Sequence, residues 1–267
     1  MPEGGPQAFS IIRLCFLLLV ACFFAAPVHA QCWSGRAQSA KVQSYNEDGT
    51  FLLDDGRRLV LVGLERPLSP VAMAAWRSIS SSILSQPVSL HVEEGRGEDR
   101  YGRLHAYVET ASHYLLQTRL VAAGWARVYP TKEGQACIAD LLKAEARARA
   151  DQLGIWSDSA YQLRDAADTN ALMALNGTYQ IVVGKVLGSV RKKHKLYLNF
   201  GEDWKTDFTV TVVSTNARLF DSQMFGVGVS QEVGIVGKRV RVRGFLSRYN
   251  GPNMEITNPD QIEILGE

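Results

Sequence analysis

Residues 59–69 read LVLVGLERPLS: an apolar strand run, a glycine, a charged pair and then a proline that ends the strand. On its amino-terminal side, RAQSAKVQSY, TFLL and RRLVLVGL are divided by NEDG and DDG between residues 36 and 64. Acidic–glycine turns between short β-rich runs specify a three-stranded meander. On its carboxyl side, Pro67 and Pro70 close the meander, and PVAMAAWRSISSSIL follows at helical spacing. Strands return in PVSLHVEE and RLHAYVET around the polar loop GRGEDRYG. Two helices come next, HYLLQTRLVAAGW and IADLLKAEARARADQ, the second expected to stop at Gly154.

Beyond this block the composition turns small and polar, and residues 158–174 are expected to be a linker. A second β-rich block fills 175–267, with strand runs TYQIVVGKVLGSV, KLYLNF, DFTVTVV, KRVRVRGFL and MEITNPDQIEIL, and a short helical run ARLFDSQMF at 217–225. Five strands in that arrangement fit a barrel of oligonucleotide/oligosaccharide-binding (OB) type. The expected fold class is mainly β (α+β), a helix-packed barrel followed by a second, smaller five-stranded barrel.

The chain has 267 residues, 46% hydrophobic and 21% charged, enough to bury one large core or two ordinary ones. The net charge of +2 is unevenly spread. Residues 171–267 hold twelve basic and nine acidic side chains, against sixteen and seventeen in residues 31–170. At the amino terminus, Arg13 precedes the apolar run LCFLLLVACFFAA, and Val28-His29-Ala30 offers a small-residue cleavage site. That pattern reads as a signal peptide over residues 1–30, with the mature chain exported to a periplasm or secreted. A lipid anchor at Cys22 is the alternative; against it, Phe23 and Phe24 prolong the apolar run. No transmembrane span is expected in the mature chain. Cleavage leaves Cys32 and Cys137, which an oxidising compartment would join, two buried thiols being the other reading. Neither a CxxC nor a paired-His spacing is present, so no metal site is read from the residues alone.

Three stretches, in order, resemble the thermonuclease (staphylococcal-nuclease-like) family over roughly 36–157, within a domain expected to span 31–157. DDGRRLVLVGLERP is similar to the family's strand ending in Gly-Ile-Asp-Ala-Pro-Glu. Asp99-Arg100-Tyr101-Gly102-Arg103 matches its Asp-Arg/Lys-Tyr-Gly-Arg loop, and LVAAGWARVY with AEARARADQLGIW matches its closing helices. The resemblance implies an OB-like barrel with packed helices, and calcium-dependent phosphodiester hydrolysis by metal carboxylates, a Glu acting on water and two arginines. Carried over residue by residue, Arg103 is the second arginine and Glu65 stands at a metal-binding Asp. The other metal-binding Asp falls at Gly49, the first arginine at Val60 and the Glu at Leu68. Arg66 would repel a cation from Glu65, and Arg58 shares a strand face with Val60. The resemblance therefore implies a degenerate active site.

In the second block KLYLNF alternates, with Leu196, Leu198 and Phe200 on one face and Lys195, Tyr197 and Asn199 on the other. RVRVRGFL repeats the pattern, Val240 and Val242 against Arg239, Arg241 and Arg243. With the cluster Arg191-Lys192-Lys193, the residues Lys195, Tyr197, Arg241 and Arg243 form an expected basic and aromatic face for single-stranded nucleic acid. The leading expectation is an exported binding protein rather than an enzyme. The alternatives are a divergent phosphodiesterase, with calcium as cofactor only in that case, and an envelope scaffold for proteins or glycans.

Overall fold

The computed structural model describes residues 1, 32–33, 36–93, 97–132, 134–192, 195–213, 220 and 234–266. The signal peptide expected at 1–30, Lys193, and the helix expected at 217–225 apart from Phe220 lie outside the described residues. Cys32–Glu267 is one compact unit.

The meander is β1 (Gln38–Tyr45), β2 (Phe51–Leu53) and β3 (Arg58–Leu61), paired antiparallel in sequence order. Its alternation buries Val42, Phe51, Leu53 and Leu59 completely. Gly49 and Gly56 turn the chain between strands at φ of 85° and 87°, a region open to glycine at little cost. Then come β4 (Leu64–Glu65), α1 (Pro70–Ser81), β5 (Pro87–His91) and β6 (Arg103–Thr110). Ser69 caps α1 by accepting from the Ala72 amide at 3.2 Å. β3 runs parallel to β6, β6 pairs antiparallel with β5, and β5 returns to β1, closing a five-stranded barrel in the order β1-β2-β3-β6-β5.

Outside the barrel lie α2 (Leu116–Ala122), β7 (Arg127–Val128), which pairs with β4, and α3 (Ile138–Ala150). The chain leaves α3 before Gly154, with Gln152 taking the left-handed conformation at φ 52°. Gly154, at φ 55°, lets the chain pass against Gly124, where a side chain on Gly154 would strike the Gly124 carbonyl and one on Gly124 the Leu153 carbonyl.

Residues 158–174, expected as a linker, carry β8 (Arg164–Asp165) and α4 (Thr169–Ala174). The small residues there permit close packing, and Ala166 and Leu172 are buried in the second core. The remaining strands are β9 (Tyr179–Lys185), β10 (Gly188–Lys192), β11 (Lys195–Asn199), β12 (Thr209–Val213), β13 (Arg239–Tyr249), β14 (Gly251–Ile256) and β15 (Ile262–Ile264). They form an eight-stranded sheet in the order β10-β11-β12-β14-β13-β9-β8, with β15 on β13. Where a closed five-stranded barrel was expected, the pairings give this larger sheet, because β8 comes from the expected linker and the runs TYQIVVGKVLGSV and MEITNPDQIEIL each divide into two strands, β9 with β10 and β14 with β15. Its core contains Leu196, Leu198, Phe208, Val210, Val240, Val242 and Met254.

The two sheets are held together by buried polar groups. Tyr179 Oη donates to the Val128 carbonyl at 2.6 Å, and Arg127 Nη1 donates to the Tyr179 carbonyl at 2.8 Å. Arg243 reaches from β13 to Glu145 on α3 at 2.8 Å. Cys32 and Cys137 are disulfide-bonded, with Cα atoms 5.0 Å apart, pinning the start of the unit to the residue before α3.

Candidate functional site

Two surfaces carry the residues singled out by the sequence. The first is the rim of the barrel where β3, β4 and β6 meet. Arg58 on β3 and Arg103 on β6 are direct partners in the parallel register. Each is bound to a carboxylate of its own. Arg58 donates to Asp48. Arg103 donates through Nε and Nη2 to Asp99 Oδ2, both at 2.7 Å, and its amide donates to Asp99 Oδ1 at 3.0 Å. Desolvation raises the Asp99 carboxyl, but the bonds from Arg103, the Tyr101 amide and His105 outweigh it and hold the group well below the usual carboxylate range.

Glu65 is already paired within the protein. Its Oε2 accepts from Arg127 Nε at 3.2 Å and Nη2 at 3.1 Å, with both side chains at most one-tenth exposed. Burial pushes the Glu65 carboxyl up, and the Arg127 charge works against that shift. Arg127 itself lies over the rings of Tyr161 and Tyr179, 5.1 and 4.8 Å from their centroids.

Position 49 is occupied in another sense. The Arg66 guanidinium packs on Gly49, and its Nη1 donates to the Glu47 carbonyl at 3.2 Å. A Cβ at Gly49 would come within 3.1 Å of Arg66 Cδ and Cζ and closer still to Nη1. Val60 is half-buried opposite His105, and Leu68 is 72% exposed. Among the described residues no group of three or more His, Cys, Asp and Glu could hold a metal ion.

The second surface is a groove of about 350 Å³ on the eight-stranded sheet, lined by Val190, Lys192, Tyr197, Asn199, Trp204 and Tyr249 among others. The β11 alternation places Tyr197 and Asn199 on the face opposite the buried Leu196 and Leu198. Lys192 lies at the tip of the β10–β11 hairpin, its Nζ 5.5 Å from the centroid of the Trp204 ring. Lys205 approaches the same ring at 5.7 Å. Trp204 is 51% exposed and Tyr249, at the β13–β14 turn, 65% exposed. Tyr197, Trp204 and Tyr249 thus present three rings around one opening, with cations over one of them.

Lys192, Lys195 and Tyr197 lie on this side of the sheet, but Arg191, paired with the buried Leu196, falls on the other face, and the two arginines of β13 do not join them. Arg241 is half-buried and donates to Glu263 at 3.2 Å. Arg243, expected on the outward surface, is 1% exposed and is bound to Glu145, Glu263 and the Val128 carbonyl. The alternation of RVRVRGFL is as expected, with Val240 and Val242 buried, but α3 covers the opposite face at Arg243. Sequence reasoning also missed Trp204 and Tyr249. Each stands in a polar loop, GEDWKTD and RYNGP, where an exposed aromatic was the available signal.

Residues 64–158 match the family described as staphylococcal nuclease homologue. The match begins after β3, and the structure completes the barrel with β1, β2 and β3 from outside it. No curated protein matches the chain.

Proposed function

Residues 64–158 match the staphylococcal nuclease homologue family, and from that premise we propose an exported protein with a degenerate hydrolytic site that binds single-stranded nucleic acid without cutting it. The groove of Tyr197, Trp204 and Tyr249 with Lys192 at its edge is the observation that carries the binding reading. Rings take stacked bases and lysines take phosphates, and the groove volume falls within the usual range for ligand sites. The strand order supports an OB-type second half. β12 runs parallel to β14 as β3 does to β6, and β10, at one end of the path, is divided in the chain from β9, next to the other end, only by Val186 and Leu187.

Loss of hydrolysis is supported at the rim. A guanidinium stands against Gly49 where a metal carboxylate is needed, Glu65 is bound to Arg127, and Leu68 replaces the Glu that would act on water. General acid–base help alone is typically worth 10²–10⁴ in rate. Export is supported by the Cys32–Cys137 disulfide and by the amino-terminal sequence pattern. Among the described residues no helix is long and apolar enough to cross a membrane.

Fluorescence anisotropy with a labelled single-stranded oligonucleotide tests the groove. Trp204→Ala is expected to weaken binding by about 1–3 kcal/mol, roughly 5- to 150-fold, with no change in melting temperature. Unchanged affinity in that variant and in Tyr197→Ala would remove the groove from the account and favour a scaffold that contacts proteins or glycans.

A further inference from the structure

The arginines of β13 run from solvent into the interior along one face of the strand. Arg239 is exposed, Arg241 half-buried and Arg243 fully buried beneath α3. Their charges are not balanced. Arg149, Arg241 and Arg243 share two carboxylates, Glu145 and Glu263, at 2.7–3.5 Å. Two buried donors, Arg241 Nε and Arg243 Nε, have no hydrogen-bond acceptor among the described residues, and Arg149 Nη1 has only its 3.5 Å ion pair with Glu145. Buried polar groups are ordinarily satisfied, so these under-satisfied guanidinium donors in one cluster call for an explanation.

The open end of this stripe is a pocket of about 760 Å³, lined by Arg164, Asp165, Lys185, Arg239, Arg241 and Gly266 with their neighbours. The register puts Lys185, Arg239 and Arg241 on one face. Lys185 and Arg239 are direct partners between β9 and β13, and Arg241 stands opposite Val183, two residues from Lys185. Arg164 borders the pocket but is paired with Val182 on the opposite face of β9, and it donates to the Ser159 and Ala160 carbonyls at 3.2 and 2.7 Å and to Gln180 at 3.3 Å. Lys185 and Arg239 have no carboxylate partner among the described residues. Three cations share a face with Asp165 in the pocket, and Glu263 already serves Arg243 as well as Arg241. The surplus positive charge matches an anion, and planar guanidinium forks suit the oxygens of phosphate.

We propose that this pocket, separate from the aromatic groove, binds a phosphate-class anion. The phosphate comes either as a free ion or as a group on a nucleic-acid strand, and the test distinguishes these sources. Titration calorimetry with inorganic pyrophosphate at constant ionic strength is expected to show saturable binding to the full chain. Lys185→Ala/Arg239→Ala, both at exposed positions, should weaken that binding at least tenfold without altering the melting temperature. Trp204→Ala should leave it intact, so the pocket and the groove can fail independently. If the phosphate belongs to a strand, the double variant also loses oligonucleotide affinity and its salt slope falls by about one to two units. If it is a free ion, oligonucleotide binding is unchanged. No saturable pyrophosphate binding by the wild type, or equal binding by the double variant, would overturn the proposal.

Discussion

Asp99 shows how single side chains divide the barrel rim between order and chemistry. It accepts from the amides of Tyr101 and Arg103, from the Arg103 guanidinium and from His105, so one carboxylate fixes the loop and the arginine together. Its folded value lies below the ordinary 3.8, so the ionised form stabilises the native state. That contribution is present above about pH 4 and is lost as pH falls through the folded value. Asp99→Asn should therefore melt below the wild type at neutral pH, with the gap narrowing as pH drops below 3.8, in melting curves recorded from pH 7 to pH 2. A gap independent of pH would mean that Asp99 serves only as a neutral acceptor. The residue identities at Gly49, Val60 and Leu68 were legible in the sequence. The packing of Arg66 on Gly49 was not, because adjacency to Glu65 gives no direction for a long side chain.

At the scale of elements, turn chemistry and period-two alternation located the meander, α1 and the inward faces of β11 and β13. Alternation states which residues share a face but not what covers that face, and Arg243 was misjudged for this reason. The exposed rings of the groove come from β11, from the loop before β12 and from the β13–β14 turn, so no local pattern joins them. The disulfide ties the segment before β1 to the residue before α3 across 105 positions. In the chain-entropy account a loop of that size is worth about 4–5 kcal/mol. Reduction, or Cys32→Ser with Cys137→Ser, is expected to lower unfolding free energy by about 2–5 kcal/mol in urea titrations. An unchanged midpoint would mean that packing alone holds the amino-terminal segment.

Across the whole molecule, buried charge joins the nuclease-like barrel to the second sheet. Burial disfavours the Arg243 charge, yet Glu145, Tyr179 and Glu263 more than compensate and raise its value. Glu145 is wholly buried and also accepts from the Val128 amide at 2.7 Å. Breaking such a pair by removing one partner typically costs about 3–5 kcal/mol, because the other charge stays buried. Arg243→Met is therefore expected to destabilise both sheets in a single cooperative transition. Adding Glu145→Gln should recover part of the loss. Two separate transitions in the wild type would show that the barrel and the sheet fold independently.

Binding without hydrolysis is tested most directly by one incubation of a labelled single-stranded oligonucleotide with the protein and calcium, read by anisotropy and by strand length on a denaturing gel. The account predicts a saturable rise in anisotropy, steeply reduced by salt, with the strand recovered at full length. Calcium-dependent shortening of the strand that is abolished by Arg103→Ala would contradict it.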